Sequence, residues 1–383
     1  MSVTYAKGFV ASGVASGLKA SGNKDVALVQ NLGPKKLAAA VFTTNRCKAN
    51  PILWSQEVIR DSQVEAIVLN SGGANCYTGS EGFQTTHQTA ELVASLLDIS
   101  ASDVLVCSTG LIGEQLNRVK LYAGVENAVA ALSEDGGEAA SLAIMTTDSV
   151  PKRAQREGDG YRIGGMAKGA GMLAPGLATM LVVITTDADL EASELDSALR
   201  FATRVSFDRL DSDGCMSTND QVTLMASGAS GIRPDLAEFQ NLLAELCKDL
   251  ALQLLDDAEG ASHSIHITTS GAKTEEEAVE VSRSVARNNL FKAAIYGNDP
   301  NWGRILAAVG TTSAEFDPYN IDVSMNGVLI SSKGEPANDR SLVDLSPKRV
   351  EVHINLNVGS AEATVVTNDL THEYVTENSA YSS

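Results

Sequence analysis

Basic side chains are scarce in this 383-residue sequence: 29 Lys and Arg stand against 48 Asp and Glu, a formal charge of -19 with histidine neutral. Nucleic-acid binding relies on clustered cations that neutralise phosphates, so this balance argues against a polynucleotide or an anionic membrane as partner and suits a solvated acidic surface. Cysteine is equally thin. Cys47, Cys76, Cys107, Cys215 and Cys247 are odd in number, widely spaced and never in a CxxC pair, which argues against a zinc knuckle or a disulfide framework and fits reduced thiols. No apolar run approaches the ~18 residues of a membrane helix. The start, MSVTYAKGFVASG, lacks a basic stretch ahead of a long apolar core and does not read as a secretory signal. A cytoplasmic protein is expected.

Several chemical signatures are also missing. There is no GxxxxGK[ST] phosphate loop, no HExxH and no GxSxG elbow. Gly169-Ala170-Gly171 lacks the third glycine of a dinucleotide fingerprint and precedes a strand, where that motif needs a helix. Of the five histidines, His263 and His266 lie close in sequence, but in a strand an offset of three puts them on opposite faces. Neither a metal nor a cofactor is expected, and no Ser-His-Asp arrangement can be located.

What the sequence does contain is a mixed α/β pattern without a Pro- or Ser-rich linker or a fixed repeat. Asp25–Val29, Leu37–Thr43, Ala66–Leu69 and Val104–Val106 read as strands, and Phe83–Leu97 reads as a helix. Five glycines between Gly164 and Gly176 read as a loop that leads into an apolar strand, Ala178–Ile184. Leucines at helical spacing predict a helix over Leu236–Leu255, and Thr274 with Glu277 resembles a capping box opening a helix towards Arg287. Asn326-Gly327 between apolar runs predicts a type I′ hairpin, and Val350–Leu356 and Ala363–Thr367 alternate like late strands.

Thr179 stands out by context. A threonine in an apolar strand is ordinarily structural, because β-branched residues suit pleated sheets. Here the glycine-rich approach and the small Ala178 would let the hydroxyl reach its own preceding carbonyl. An N-to-O acyl shift would cut the chain and leave Thr179 with a free α-amine. That amine, with a pKa of about 7.7–8.0 in model compounds, can take the hydroxyl proton as an internal base.

The segment from Gly164 to Leu181, GGMAKGAGMLAPGLATML, resembles the cleavage signature of the ornithine acetyltransferase (glutamate N-acetyltransferase) family. Further matches spread over nearly the whole chain: Lys7-Gly8-Phe9, Phe42-Thr43, Cys107–Gly113, Met145–Asp148, Ser217–Asp220, Ala258–Gly260, Asp299–Arg304 and Glu377–Ser383. The resemblance implies a precursor cut between Ala178 and Thr179, whose two chains stay together as α2β2. It implies acetyl transfer from N2-acetyl-L-ornithine to L-glutamate through acetyl-Thr179, in arginine biosynthesis. Some members also use acetyl-CoA, although acetylornithine is the expected preferred donor here. The implied fold is a layered α/β (α+β) sandwich like that of self-processing aminopeptidases, with a sandwich lobe over 1–237 and a smaller α/β lobe over 238–383.

Residue by residue, the resemblance makes Thr109 and Gly110 the oxyanion hole and Thr179 the nucleophile. It makes Lys168, Glu259, Asn378, Ser383 and one of Thr146 and Thr147 substrate contacts, with Thr147 the less buried-looking of the pair. Without it, Lys168 is a solvated loop lysine, Thr109-Gly110 a strand-ending turn and the C-terminus a frayed tail. Two departures are visible: Gly73, where an asparagine is common, and Gly260–His263, where many members carry threonine and lysine. A self-processed amidase or aminopeptidase would share the nucleophile, whereas an acidic scaffold would leave the chain uncut.

Overall fold

Most of the apolar runs become strands and the leucine-rich segments helices in the computed structural model, which describes residues 2–174 and 180–380. The chain divides into two compact units, residues 2–208 with 215–254 and residues 209–214 with 255–380. Among the described residues, no helix is long and apolar enough to cross a membrane.

The first unit holds β1 (Phe9–Val14), β2 (Val26–Asn31), β3 (Leu37–Phe42), β4 (Ala66–Asn70), β5 (Val104–Ser108), β6 (Lys152–Glu157), β7 (Arg162–Lys168), β8 (Leu181–Thr186) and β9 (Gln221–Ala226). Its helices are α1 (Asn50–Val58), α2 (Gly79–Leu97), α3 (Arg118–Ala130), α4 (Gly137–Ala143), α5 (Ala192–Arg204) and most of α6 (Leu236–Asp256). One sheet runs β1-β2-β4-β5 and the other β3-β9-β8-β7-β6. Within these sheets β4–β5 and β8–β9 are parallel and the remaining pairs antiparallel.

The two-residue period of a strand explains the layering. Ala27 and Val29, with Ile67, Leu69 and Leu105, meet Met166, Val183 and Met225 of the other sheet in a shared core. The alternate positions Val26, Leu28, Val68 and Val106 turn to Ala90 and Val93 of α2 and to Leu121 and Val125 of α3. Both faces are therefore dry, and each fully buried Leu or Ile contributes roughly 1.5–3 kcal/mol over an exposed one. With α6 against the far side of the second sheet, the unit is an α/β/β/α sandwich.

Gly164 and Gly165 correct the loop expected from the sequence: they lie inside β7. A Cβ on Gly164 would stand 2.2 Å from the Ser2 carbonyl oxygen, and one on Gly165 3.1 Å from Leu246 and Leu250 of α6. Glycine here answers to pressure from both faces of the sheet, not to a turn.

The second unit is built on β10 (Ser264–Ala272), β11 (Asp322–Met325), β12 (Val328–Ser332), β13 (Glu335–Pro336), β14 (Arg349–Asn355) and β15 (Ala361–Asn368), in the order β13-β12-β11-β14-β10-β15. Its helices are α7 (Glu275–Ala286), α8 (Asn289–Tyr296), α9 (Trp302–Val309) and α10 (His372–Ala380). Ile265, Ile267, Val350 and Val352 of the sheet pack with Val281 and Val285 of α7, Phe291 of α8 and Ile305 of α9. Thr274 caps α7 by accepting the Glu277 N–H at 3.2 Å, while Glu277 reaches back to the N–H of Lys273 instead of Thr274. Asn326 and Gly327 take φ of 45° and 82°, as a type I′ turn requires.

Close approach of α4 to β1 matters because α4 leads into Thr146–Asp148. A Cβ on Gly13 would fall 1.9 Å from the Ala139 carbonyl oxygen. Gly13→Ala should therefore destabilise the protein by about 1–3 kcal/mol, read as a lower denaturant midpoint; an unchanged midpoint would show that α4 yields freely.

Candidate active site

Thr109 and Gly110 follow the last residue of β5 and are held by backbone pairing. The Thr109 N–H donates to the Asn70 carbonyl at 2.9 Å, and the Thr109 carbonyl accepts the Gly73 N–H at 3.0 Å. Gly110 has φ +130°, and a Cβ there would lie 2.8 Å from the Gly73 nitrogen, so only glycine fits. Gly73, one of the two departures noted above, thus forms the wall behind this turn. An added Cβ on Gly73 would itself meet only the Leu116 side-chain tip at 3.0 Å.

Lys168 ends β7 and is 1% exposed, which corrects the alternative of a solvated loop lysine. Its Nζ donates to Thr109 Oγ1 at 3.2 Å. A hydroxyl has one proton and two lone pairs, and an ammonium can only donate. Thr109 therefore accepts from Lys168 and keeps its own proton for another acceptor. The Gly110 N–H makes no hydrogen bond among the described residues. A polarised O–H and a backbone N–H on adjacent residues suit an oxygen that gains negative charge.

Asp148 organises this corner. Oδ1 accepts the Gly169 N–H at 2.7 Å and Lys152 Nζ at 2.6 Å, and Oδ2 accepts the Thr146 N–H at 2.9 Å. The Asp148 and Lys152 side chains are wholly buried. Burial works to raise the Asp148 pKa, but the charges of Lys168 and Lys152 and the Gly169 N–H outweigh it and hold the carboxyl below its ordinary value. Lys19 donates to the Met145 carbonyl at 2.6 Å, and burial pulls its pKa down. Thr146 is half-buried and Thr147 exposed.

Ala178 and Thr179 lie outside the described residues, as does Ser383. Met180 follows Thr179 directly and is fixed: its N–H donates to Asp220 Oδ1 at 3.1 Å and its carbonyl accepts the Gln221 N–H at 3.2 Å. Thr109, Gly110, Lys168 and Thr146 thus gather in the first unit. Glu259 and Asn378 belong to the second. Glu259 is buried, and the next residue, Gly260, presses on α10, where a Cβ would lie 2.2 Å from the Tyr374 nitrogen. Asn378 sits in α10, exposed, with Nδ2 donating to the Tyr374 carbonyl. His263, at the other departure, is structural: Nδ1 pairs with Asp369 Oδ2 at 2.8 Å and Nε2 with the Leu345 carbonyl at 3.0 Å.

Asp148, Lys152, Asn219 and Asp220 carry no assigned role in the sequence, although the motifs Met145–Asp148 and Ser217–Asp220 contain three of them. The usable signal was opposite charge at a spacing of four in Asp148 and Lys152.

Residues 10–383 match the ArgJ family. The arginine biosynthesis bifunctional protein ArgJ of Streptomyces avermitilis is 59% identical over 383 residues, covering 100% of both chains. Its counterpart in Thermobifida fusca is 60% identical over 382 residues, again over 100% of both. The crystal structure of ornithine acetyltransferase complexed with ornithine from Mycobacterium tuberculosis shares 50% identity, covering 47% of this chain and 96% of that one at a TM-score of 0.45.

Two outcomes follow from this geometry. Thr109→Ala should lower the rate of acyl transfer by about 10²–10³ with the fold retained, measured in steady-state kinetics alongside a melting curve; wild-type rates would reduce Thr109 to a turn residue. The Asp148 carboxylate, with its pKa depressed in the fold, adds stability that is complete above the ordinary value of 3.8 and lost as pH falls through the lower folded value. Asp148→Asn, weakened at neutral pH because buried ammoniums lose their counter-charge, should show a flatter acid dependence than wild type in denaturation from pH 7 to 2; parallel profiles would contradict this.

Proposed function

The chain belongs to the ArgJ family, and from that premise we propose that it moves an acetyl group from N2-acetyl-L-ornithine to L-glutamate through acetyl-Thr179. It is an acyltransferase of arginine biosynthesis. The observation that carries the finer reading is the Lys168–Thr109 contact beside Gly110, which leaves a hydroxyl proton and a backbone N–H free to meet an oxyanion.

The chemistry begins with the chain itself. Thr179 Oγ adds to the Ala178 carbonyl carbon, the C–N bond breaks as the nitrogen takes the hydroxyl proton, and water hydrolyses the resulting ester. The freed Thr179 amine then serves as base. It accepts the Oγ proton as Oγ attacks the acetyl carbon of acetylornithine, and it returns that proton to the departing ornithine amine. Glutamate's amine attacks acetyl-Thr179 in the reverse sense, giving N-acetylglutamate and restoring the hydroxyl. Each tetrahedral intermediate places its oxyanion against Thr109 and Gly110. Lys168, Glu259, Asn378, Ser383 and one of Thr146 and Thr147 bind the two amino acids, with Glu259 suited to the cationic amine of ornithine. The two chains remain together as α2β2 in the cytoplasm. The relatives' description as bifunctional favours a second donor on the same threonine, and acetyl-CoA is the candidate.

Intact mass spectrometry tests the first step: wild type should appear as pieces of 178 and 205 residues, and Thr179→Ala as one uncut, inactive chain. An uncut wild type after long incubation would refute the assignment. With glutamate fixed, acetylornithine should turn over faster than acetyl-CoA, and without glutamate it should release little acetate. Equal turnover with both donors would overturn the donor preference, and rapid acetate release would mark a hydrolase.

A further inference from the structure

The motif Ser217–Asp220 was noted in the sequence without a role, and its last two side chains are both buried in the first unit. Asn219 is 4% exposed and Asp220 fully buried. They stand immediately before β9, and each reaches a different half of the reaction centre. The Asn219 amide donates both of its N–H groups to backbone carbonyls: that of Ser108 at 2.8 Å and that of Ala74 at 2.6 Å. Ser108 is the residue before Thr109, and Ala74 follows Gly73, the wall behind Gly110. Asp220 reaches the other way, to the Met180 N–H. The β8–β9 ladder begins at the pair Leu181–Gln221. The Asp220 carboxyl thus extends that ladder upstream, and Met180 is gripped at both of its backbone groups by Asp220 and Gln221. The Asp220 carbonyl itself accepts the Thr43 N–H at 2.9 Å, so the clamp is anchored from behind.

We propose that Asn219 and Asp220 act together as a positioning pair that sets the separation between the nucleophile and the oxyanion donors, Asn219 by holding the Ser108-Thr109 turn and Asp220 by holding the backbone one residue after Thr179. This rests on Thr179 being the nucleophile. Two adjacent residues are joined by one rigid peptide unit, so the two halves of the centre are coupled through the shortest link a chain can provide. Neither side chain touches substrate or reacting atoms in this scheme.

The chemistry at the two positions is opposite, and that makes the pair testable. Position 220 needs an acceptor for an N–H. Burial pushes the Asp220 carboxyl well above its ordinary value, outweighing the Met180 N–H, the Lys168 charge and the nearby Ser217 N–H and Thr43 hydroxyl, and Oδ2 makes no hydrogen bond of good geometry among the described residues. A neutral amide of the same shape can therefore replace it. Position 219 needs two donors. A carboxylate there would face two carbonyl oxygens with no proton to offer.

The full-length protein and its variants Asp220→Ala, Asp220→Asn, Asn219→Ala, Asn219→Asp and Thr179→Ala would be made by cell-free synthesis. Self-cleavage would be followed by intact mass against time, acetyl transfer by kcat and KM, and folding by melting temperature. Misplacement by 1 Å can cost ~10²-fold, so Asp220→Ala should slow self-cleavage by about tenfold or more, and Asp220→Asn should restore most of the rate. Asn219→Ala and Asn219→Asp should lower kcat by a similar factor with KM little changed, and the Asp variant should give no rescue. Asp220→Asn as slow as Asp220→Ala would overturn the proposal. So would alanine variants that melt lower yet cleave and turn over at wild-type rates, since packing alone would then explain the pair. A wild type that stays uncut, indistinguishable from Thr179→Ala, would remove the nucleophile reading itself, which is a separate and visible failure.

Discussion

A buried ammonium must find a counter-charge or lose its proton, and in this protein that requirement organises the site. Lys168 and Lys152 are both shut away from water, and Asp148 is the carboxylate among them. Removing the Asp148 carboxylate would leave two buried ammoniums without their counter-charge, and an unpaired buried charge costs about 3–5 kcal/mol. The geometry is thereby tightly specified. Asp148 binds the N–H after Lys168, the N–H of Thr146 and the Lys152 ammonium at once. The end of β7 and the segment after α4 are drawn to one carboxyl, and Lys168 is left beside the Thr109 hydroxyl. Electrostatic preorganisation of this kind needs no rearrangement when charge develops on a substrate.

Local signals were legible in the sequence. Asn326-Gly327 and Thr274 act within a few residues, so the turn and the cap could be read directly, and the long leucine pattern of α6 runs to Asp256 much as its spacing suggests. Gly164 and Gly165 were not legible as strand. Glycine has no side chain to carry a period of two, and the reason for its presence lies with Ser2 and with two leucines some 80 residues away in α6. The same limit hid Asn219, whose partner Ala74 is 145 residues distant. Its motif could be seen as a resemblance, but what it holds could only be seen in three dimensions. Lys168 shows a subtler limit: a lysine between glycines looks solvated until the strand that carries it is known to be covered on both sides.

The order of the second sheet, β3-β9-β8-β7-β6, bears on what a break between residues 178 and 179 would mean. β3, β7 and β6 precede the break, whereas β8 and β9 follow it, and these two sit in the middle of the sheet with a strand of the earlier segment on either side. The fragments would therefore be woven, not merely docked. Neither could leave without tearing two ladders, each exposing a strand edge and core side chains to water. Separation would amount to unfolding of the first unit, which, once severed, would behave as a single cooperative body until it melted. Recovery would be another matter. Two free pieces must first meet, so renaturation would become second order and fail on dilution, whereas the uncut chain could refold at any concentration. Cutting would thus leave the folded state held together while making the loss of that state hard to reverse.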